Sequence, residues 1–378
     1  MAEYQRLDEV CHINMGQSPD SKSYNQEGVG LPFFQGNADF GAVHPETRVW
    51  CSSPTKIVEA GTLLISVRAP IGALNFAKER SCIGRGLAGI TPQNGVRLKY
   101  IYYCLKGKNK ELNAKGTGST FKAIAKSALG ETSVKIVSEE DQLKIIQTLD
   151  RVSSVIEARK QQLTELDNLI KARFVELFGD PVTNEKSWPR LTLGDICEIG
   201  SSKRVFEKDY VPSGIPFFRT KEIVELSKGN PISTELFITE EHFAELKKSY
   251  GAPKKDDLLI SAVGTIGTIW IVSGDFEFYF KDGNLIQIKS SPNFNSIFMK
   301  YLLDELIANY KKEMSTGTAY SALTIAGLKK MLVYDVPLEF QEKFATFVEQ
   351  TDKSKAVVQK ALDEAQTLFD SLMQEYFG

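Results

Sequence analysis

The sequence predicts an α+β fold, with two homologous mixed α/β-rich domains separated by a pair of long coiled-coil helices. Three observations predict it. Much of the chain occurs twice, each copy contains short patterns typical of buried strands, and each copy ends in a long stretch with helical spacing of apolar residues. With 378 residues, 42% of them hydrophobic, the chain is long enough to form two or three cores.

The internal repeat consists of four short landmarks that occur twice in the same order. Segment 30–34 recurs at 214–218, 61–72 at 256–267, 118–121 at 317–320, and 177–179 at 376–378. The offset between the copies grows from 184 to 199 residues, so the second copy carries small insertions. Two homologous halves are therefore predicted.

Each half begins with a β-rich domain that also contains some helix. The apolar runs 63–67 and 258–263 are bounded by Gly, Pro or Asp, as expected of buried strands. Gly, Pro, Asn and Ser recur between such runs and indicate turns. These patterns predict domains over residues 1–138 and 190–338.

Each domain is followed by a stretch in which apolar residues alternate in steps of three and four, at about 140–178 and 339–377, without Gly or Pro. A helix of about 38 residues is about 57 Å long, which exceeds a small domain and favours a coiled coil over a helix packed on its own domain.

The predicted helical segments are 139–179 and 339–378. The first of them is joined to the second domain by a polar connector at 180–189. The connector leaves open whether the helices run parallel or antiparallel. Arg159 and Lys355 lie in the apolar seam, where they lower stability unless they pair or extend to solvent.

Charge is unevenly distributed, although the net charge is only -2. Residues 78–135 contain twelve Lys or Arg and three Glu, whereas 339–378 contain four Lys and eight Asp or Glu. The matching span of the second copy, 254–330, has nine Lys and eight acidic residues. A cationic surface is therefore predicted mainly in the first domain.

Targeting signals and cysteine pairs are not apparent. The polar N-terminus and the lack of a long apolar run predict a cytoplasmic protein with no membrane contact. The five cysteines form no C-x-x-C pair and are expected to be reduced, mostly buried thiols.

Motifs of common enzymes are missing or lack their context. Residues 84–89 match Gly-x-Gly-x-x-Gly, but Ile90-Thr91-Pro92 follows instead of a long helix, so dinucleotide binding is not predicted. There is no phosphate-binding loop and no His-Glu-x-x-His motif, and the chain has only three histidines. The Asn/Asp-Pro-Pro-aromatic motif of amino-methyltransferases is also absent. We therefore expect no catalytic residue and no metal site in this chain.

The duplicated landmarks resemble those of the specificity subunits of type I restriction-modification systems. The resemblance rests on the 30–34 and 214–218 segments, the apolar runs ending at Ile-Gly, the glycine turns, and the helix starts at 139–142 and 339–341. It covers essentially the whole chain. One departure is Asp141-Gln142 where the family usually has Glu-Gln.

The resemblance implies antiparallel helices with pseudo-two-fold symmetry and two target-recognition domains, each reading one half of a bipartite, asymmetric site in double-stranded DNA. It also implies that the helices dock two modification (methyltransferase) subunits and that ATP-dependent restriction subunits join the complex. S-adenosylmethionine, ATP and Mg²⁺ are then expected on those partners, with no cofactor in this chain.

Candidate DNA contacts are Lys and Arg for phosphates, together with polar side chains that can reach base edges. We select Arg68, Arg85, Ser119, Thr120 and Lys122 in the first domain, and Arg219, Lys221, Lys281, Thr318 and Tyr320 in the second. The glycines of segment 84–89 are expected to form turns or to bring the backbone close to DNA phosphate. Because Arg68 aligns with Val263, the two domains are expected to read different half-sites.

Two other classes of function remain open at this point. The chain is alternatively a specificity subunit of a combined methyltransferase-nuclease system, or a coiled-coil scaffold whose domains bind protein or glycan. An enzyme that acts alone is the third alternative. Mapping of methylated adenines with and without the chain distinguishes these classes.

Overall fold

The computed structural model describes residues 3–118, 122–315 and 322–378. The chain divides into two compact units. Unit 1 comprises Met1–Gln161 and Gln359–Gly378, and unit 2 comprises Gln162–Val358. Both crossings of the chain between the units lie inside long helices.

The strands of unit 1 are β1 (Glu3–Arg6), β2 (Cys11–Met15), β3 (Tyr24–Asn25), β4 (Leu31–Phe34), β5 (Trp50–Cys51), β6 (Ile57–Val58), β7 (Leu63–Ser66), β8 (Leu74–Phe76), β9 (Ser81–Ile83), β10 (Leu87–Pro92) and β11 (Ser133–Ile136). Its helices are α1 (Leu7–Val10), α2 (Leu98–Gly107), α3 (Asn109–Ala114), α4 (Lys126–Gly130) and the first part of α5 (Glu139–Phe178).

Unit 1 contains an antiparallel sheet in the order β2-β10-β7-β8 and a mixed sheet in the order β3-β5-β4-β9-β6, in which β4 and β9 are parallel. Strands β1 and β11 pair separately and bring the two ends of this part of the chain together. All four side chains of β7 are buried, as its apolar sequence predicts.

The strands of unit 2 are β12 (Arg190–Thr192), β13 (Ile199–Gly200), β14 (Ile215–Phe218), β15 (Phe237–Ile238), β16 (Leu258–Ser261), β17 (Ile269–Ile271), β18 (Tyr279–Phe280), β19 (Leu285–Ile288) and β20 (Leu332–Tyr334). Its helices are α6 (Leu193–Ile196), α7 (Thr220–Ser227), α8 (Glu240–Tyr250), α9 (Ser296–Ser315), α10 (Ile325–Lys330) and most of α11 (Leu338–Phe377).

Unit 2 repeats the topology of unit 1. The sheet β13-β19-β16-β17 corresponds to β2-β10-β7-β8, the pair β12-β20 corresponds to β1-β11, and the parallel pair β14-β18 corresponds to β4-β9. Helices α7 and α8 lie between β14 and β16, where the offset between the copies increases from 184 to 195 residues. The insertions expected in the second copy are thus mainly helical.

Two polar residues of the repeat have structural roles in both copies. Ser66 accepts a hydrogen bond from the Ala73 amide at 2.9 Å, and Ser261 accepts one from the Thr268 amide at 2.9 Å, so each serine closes the turn after its strand. The glutamines at the helix starts are also buried, and each accepts one hydrogen bond and donates another. Gln142 accepts from the Arg97 amide at 2.9 Å and donates to the Val137 carbonyl at 3.0 Å.

Gln341 makes the matching hydrogen bonds in unit 2, accepting from the Asn295 amide at 2.8 Å and donating to the Val336 carbonyl at 2.7 Å. Each glutamine therefore ties the start of a long helix to the strand before it and to the start of an earlier helix. A buried amide without such partners would be costly, which explains why this residue type occurs at this place in both copies.

The long helices α5 and α11 pair antiparallel. Three contacts within unit 2 join Asp167 to Lys355, Arg173 to Phe347 and Phe178 to Phe344. The residue number on α11 falls as the number on α5 rises, which defines the direction. The predicted α+β class, with two homologous domains and two long antiparallel helices, is confirmed.

The seam cation Lys355 is paired, as its position requires. Its Nζ lies 2.7 Å from Asp167 Oδ1 and 3.4 Å from Asp352 Oδ1. Burial acts to lower the pKa of Lys355, but the hydrogen bond and the charge of Asp167 outweigh it and raise the pKa above its ordinary value.

Each hydrophobic core includes residues from both long helices. The main core of unit 1 contains Leu149 and Ile156 of α5 and Phe369 and Phe377 of α11. In unit 2, Phe178 of α5 and Phe344 of α11 pack with Phe298. The predicted boundaries of 1–138 and 190–338 as independently reading domains stay a prediction, because the helices are part of both cores.

The five cysteines are unpaired thiols, and four of them are buried. Burial raises the pKa of Cys11 to about 12. None of the helices within the described residues is long and apolar enough to cross a membrane.

Candidate nucleic-acid interface

Three of the selected cations of unit 1 lie at the same end of its antiparallel sheet. Ser66 is paired with Leu87, and beyond this pair the Val67 amide donates to the Gly86 carbonyl at 2.9 Å. Arg68 and Arg85 follow on the two strands, so the antiparallel register brings them to one end. Here the Ala69 amide donates to the Lys122 carbonyl at 3.0 Å.

All three side chains are exposed. Within the described part of the chain, Arg85 makes weak contacts from its amide and its Nε to Ser18 Oγ, each at 3.4 Å. We name Arg68, Arg85 and Lys122 the cationic end of unit 1. Exposed cations that converge in this way attract a polyanion.

The glycines beside this end allow the backbone to approach another part of the same chain. A Cβ on Gly86 would lie 2.2 Å from the Gln35 carbonyl oxygen, and a Cβ on Gly84 would lie 3.2 Å from the Phe33 ring. The Gly86 amide also donates to Gln35 at 3.1 Å. The expectation that these glycines approach DNA phosphate is replaced, because the protein's own backbone fills the space.

Replacement of Gly86 with alanine should therefore destabilise unit 1. Because the clashing atom is a backbone oxygen, relief requires a shift of β4 or β10, and we expect a loss of about 1–3 kcal/mol in the free energy of unfolding. Gly36→Ala is the matched control, since its φ of -172° is extended and no atom lies within 4 Å of its added Cβ. Urea unfolding of both variants tests this, and equal stabilities would contradict it.

Two of the selected cations of unit 2 are paired with carboxylates. Arg219 Nη2 lies 2.9 Å from Glu222 Oε1 and 3.3 Å from Glu235 Oε2, and Lys221 Nζ lies 3.5 Å from Glu235 Oε1. The hydrogen bond with Glu222 is the main cause of a raised pKa at Arg219, and the bond from Arg219 holds the pKa of Glu235 below its ordinary value.

Glu222 is only 2% exposed and also accepts from the Arg219 amide at the start of α7. Arg219 therefore compensates a buried charge and closes a helix end. DNA contact by Arg219 and Lys221 stays a prediction, but both lie in a largely neutralised group.

Lys281 occupies the place in unit 2 that Gly84 occupies in unit 1. The Lys281 amide donates to the Phe218 carbonyl at 2.9 Å, and the Gly84 amide donates to the Phe34 carbonyl at 2.8 Å. Its half-buried side chain lies near the same end of the repeated sheet. The position that matches Arg68 is Val263, because the Ile124 amide donates to Val67 as the Leu323 amide donates to Ala262. The counterpart of Lys122 lies outside the described residues.

Arg204, which is not among the cations selected from the sequence, also lies at this end of unit 2. Arg204 Nε donates to Asp282 Oδ2 at 3.0 Å, and Asp282 directly follows Lys281. The available signal was the cation pair Lys203-Arg204 just after β13, but nothing in the sequence aligns it with the first copy.

Four selected residues, Ser119, Thr120, Thr318 and Tyr320, lie outside the described residues. Among residues 3–118, 122–315 and 322–378, no group of three or more His, Cys, Asp or Glu side chains is arranged to hold a metal ion.

The duplicated sheets, the two long antiparallel helices and the differing ends of the sheets define a protein of two homologous domains with different surfaces on one scaffold. The family model for the type I restriction modification DNA specificity domain matches residues 2–168 and 185–366. The chain therefore belongs to this family.

Individual relatives agree with this assignment. The chain is 38% identical over 160 residues to the putative type I restriction enzyme MjaX specificity subunit of Methanocaldococcus jannaschii. The aligned residues make up 42% of this chain and 38% of that protein. It is 27% identical over 349 residues to the MjaIX specificity subunit of the same organism, covering 84% of this chain and 77% of that protein.

Solved structures share the fold. The type I restriction-modification S subunit from M. genitalium superposes with a TM-score of 0.60 at 18% identity, over 100% of this chain and 96% of that one. A chain from a study of complex assembly and conformational transition of the type I R-M system also has a TM-score of 0.60, at 16% identity.

Proposed function

We propose that this chain reads DNA sequence for a type I restriction-modification complex, each unit recognising one half of a bipartite, asymmetric site. The observation that carries the proposal is that one scaffold presents different side chains at equivalent positions. Arg68 corresponds to Val263, and the single residue Arg85 between Gly84 and Gly86 is replaced in unit 2 by Asp282-Gly283 between Lys281 and Asn284. Two copies of one fold with different surfaces suit the reading of two different half-sites.

The physical division of labour follows from the two kinds of DNA contact. Exposed cations such as Arg68 and Lys122 supply affinity by neutralising phosphates and releasing counterions, without regard to sequence. A smaller number of side chains at base edges supplies discrimination, about 1–3 kcal/mol for each bidentate pair. The sheets and the shared helix cores hold these side chains on rigid backbone.

The long helices are the proposed docking surface for two modification subunits. Large apolar side chains remain exposed along them, including Val155 (47%), Leu169 (48%), Val357 (71%) and Leu368 (51%). Where such side chains form a continuous patch, they mark a surface that binds a partner, and in this proposal they contact the modification subunits. In this proposal the chain has no catalytic role, the modification subunits bind S-adenosylmethionine, and the restriction subunits use ATP and Mg²⁺.

The test is to map methylated adenines in cells that carry the modification subunit with or without this chain. A bipartite motif that appears only when both are present is expected, and the purified chain alone should neither methylate nor cut DNA. Methyl transfer by the chain alone, or an unchanged methylation pattern in its absence, would reject the proposal.

Lys122→Ala tests whether the cationic end of unit 1 contacts phosphate. We expect binding of the assembled complex to weaken on the order of tenfold at low salt, with an unchanged motif and a slope of log K against log salt smaller by about 0.9. Lys78→Ala is the control, because exposed Lys78 follows β8 at the opposite end of the sheet. A changed base preference at constant salt slope would instead make Lys122 a base reader.

A further inference from the structure

We propose that Arg204 is a base-reading residue of unit 2 and recognises a guanine in its half-site. The proposal rests on the proposed function and deepens it, because it assigns one kind of base to one side chain. Its basis is a structural equivalence between the two units that the sequence does not show.

The equivalence follows from backbone pairing. Gly200 pairs with Gln287 as Asn14 pairs with Gly89, so Arg204, four residues beyond Gly200, corresponds to Ser18, four residues beyond Asn14. The Lys281 and Gly84 amides bond to equivalent carbonyls, and the Asn284 and Gly86 carbonyls accept from the equivalent amides of Ala262 and Val67. The two residues Asp282 and Gly283 therefore stand where unit 1 has Arg85, and unit 2 has one residue more at this point.

The contact between Ser18 and Arg85 in unit 1 thus corresponds to the contact between Arg204 and Asp282 in unit 2. Both contacts include an arginine. In unit 1 it is Arg85, which precedes β10, and in unit 2 it is Arg204, which follows β13. The arginine at this end of the sheet therefore comes from a different segment of the repeat in each unit.

The two arginines differ in how they are held. Among the described residues, the Arg85 side chain contacts a hydroxyl at 3.4 Å, a long contact that holds a guanidinium weakly. Arg204 donates its Nε to Asp282 at 3.0 Å, while its side chain remains 65% exposed. A carboxylate at Nε orients the guanidinium and leaves its Nη atoms for another acceptor pair.

Guanine offers two adjacent acceptors, O6 and N7, in the major groove, and a paired donor fork fits them. Unit 2 also contains a contrasting case, because Arg219 spends its Nη2 on both Glu222 and Glu235. Among the described contacts, Arg204 bonds through Nε and not through its terminal Nη donors, whereas Arg219 Nη2 is committed within the fold.

The backbone around Arg204 is fixed on both sides. Ser202 donates to the Phe280 carbonyl at 2.6 Å, the Lys203 amide donates to the Tyr279 hydroxyl at 2.9 Å, and Val205 is 7% exposed. Phe206, the next residue, is 56% exposed. The segment therefore holds a positioned arginine, and beside it an apolar ring of the kind that contacts a thymine methyl.

The test uses the assembled complex and a duplex that carries the motif mapped for the wild-type chain. Each guanine in the half-site that depends on residues 190–337 is replaced in turn by 7-deazaguanine, which lacks the N7 acceptor. At one position we expect the wild-type complex to lose about 5-fold in affinity, the lower end of the range for a bidentate pair, because O6 remains and only the bond to N7 is lost. Arg204→Ala should bind the two duplexes equally at that position and should relax that position of the methylation motif.

Asp282→Ala separates positioning from charge. Without its carboxylate Arg204 loses its orientation, so we expect reduced discrimination at the same guanine together with tighter binding to unrelated duplexes. Lys228→Ala is the control, because Lys228 is exposed at the other end of α7 and pairs with Glu225. Thermal unfolding checks that the variants fold like the wild type.

The inference is overturned if Arg204→Ala keeps wild-type discrimination at every base pair and only flattens the salt dependence, since Arg204 is then a phosphate contact. It is also overturned if the half-site contains no G·C pair. A wild-type complex that binds all duplexes equally would instead reject the proposed function itself, so the two failures are distinguishable.

Discussion

Replacement of residues 1–138 by the first domain of another specificity subunit is expected to change one half of the methylation motif completely and to leave the other half unchanged. The structure makes the exchange feasible. Strands β1 and β11 pair with each other, so the segment begins and ends at the same place, and α5 begins at Glu139. The donor must preserve the face formed by Tyr100 and Tyr103, because these side chains pack against Phe377 and Phe369.

Sequencing of methylated adenines in cells that carry the hybrid measures the result. The reciprocal replacement of residues 190–337 is the control and should change only the other half of the motif. If either replacement changes both halves, the two units do not read DNA independently, and the predicted domain boundaries are wrong.

Phe369→Ala is expected to destabilise unit 1, although Phe369 lies near the end of the chain. Its ring is 5% exposed, its centroid lies 6.3 Å from that of Tyr103, and Lys106 Nζ lies 4.8 Å above it. A phenylalanine truncated in a packed core costs about 3–5 kcal/mol. Urea unfolding measures the loss, and hydrogen exchange should show it as reduced protection in β10 of unit 1.

Leu368→Ala is the matched control, because this neighbouring side chain is 51% exposed and its loss should change stability by no more than about 0.5 kcal/mol. Equal effects of the two substitutions would contradict the packing. So would lost protection in β19 of unit 2 with β10 unaffected, since Phe369 would then belong to the other core.

The repeat and the long helices were predictable because their signals are local. A strand such as Leu63–Ser66 is apolar in both copies, and α5 and α11 contain no residue that interrupts a helix. Cations at the end of the unit 1 sheet were also predictable in part, since Arg68, Arg85 and Lys122 are exposed and converge there. Their contact with DNA stays a prediction.

The site in unit 2 was less predictable because its side chains acquire their roles from distant partners. Arg219 looks like a free cation in the sequence, but Glu235, sixteen residues later, lies 3.3 Å away. Arg204 gains its position from Asp282, seventy-eight residues later. A glycine such as Gly86 is similarly ambiguous, because only the fold shows that Gln35 occupies the space beside it.

The sequence by itself determined the duplicated α+β architecture and the two long helices, because hydrophobic periodicity and the absence of Gly and Pro act within each segment. Periodicity and the connector left the direction of the helices open, and the antiparallel arrangement that the resemblance implied became visible only in the tertiary structure, as did the part of Gln359–Gly378 in the core of unit 1. The tertiary structure also decided which cations remain available. Pairing between distant segments depends on which faces meet in three dimensions, and apolar spacing along a helix does not specify its partner.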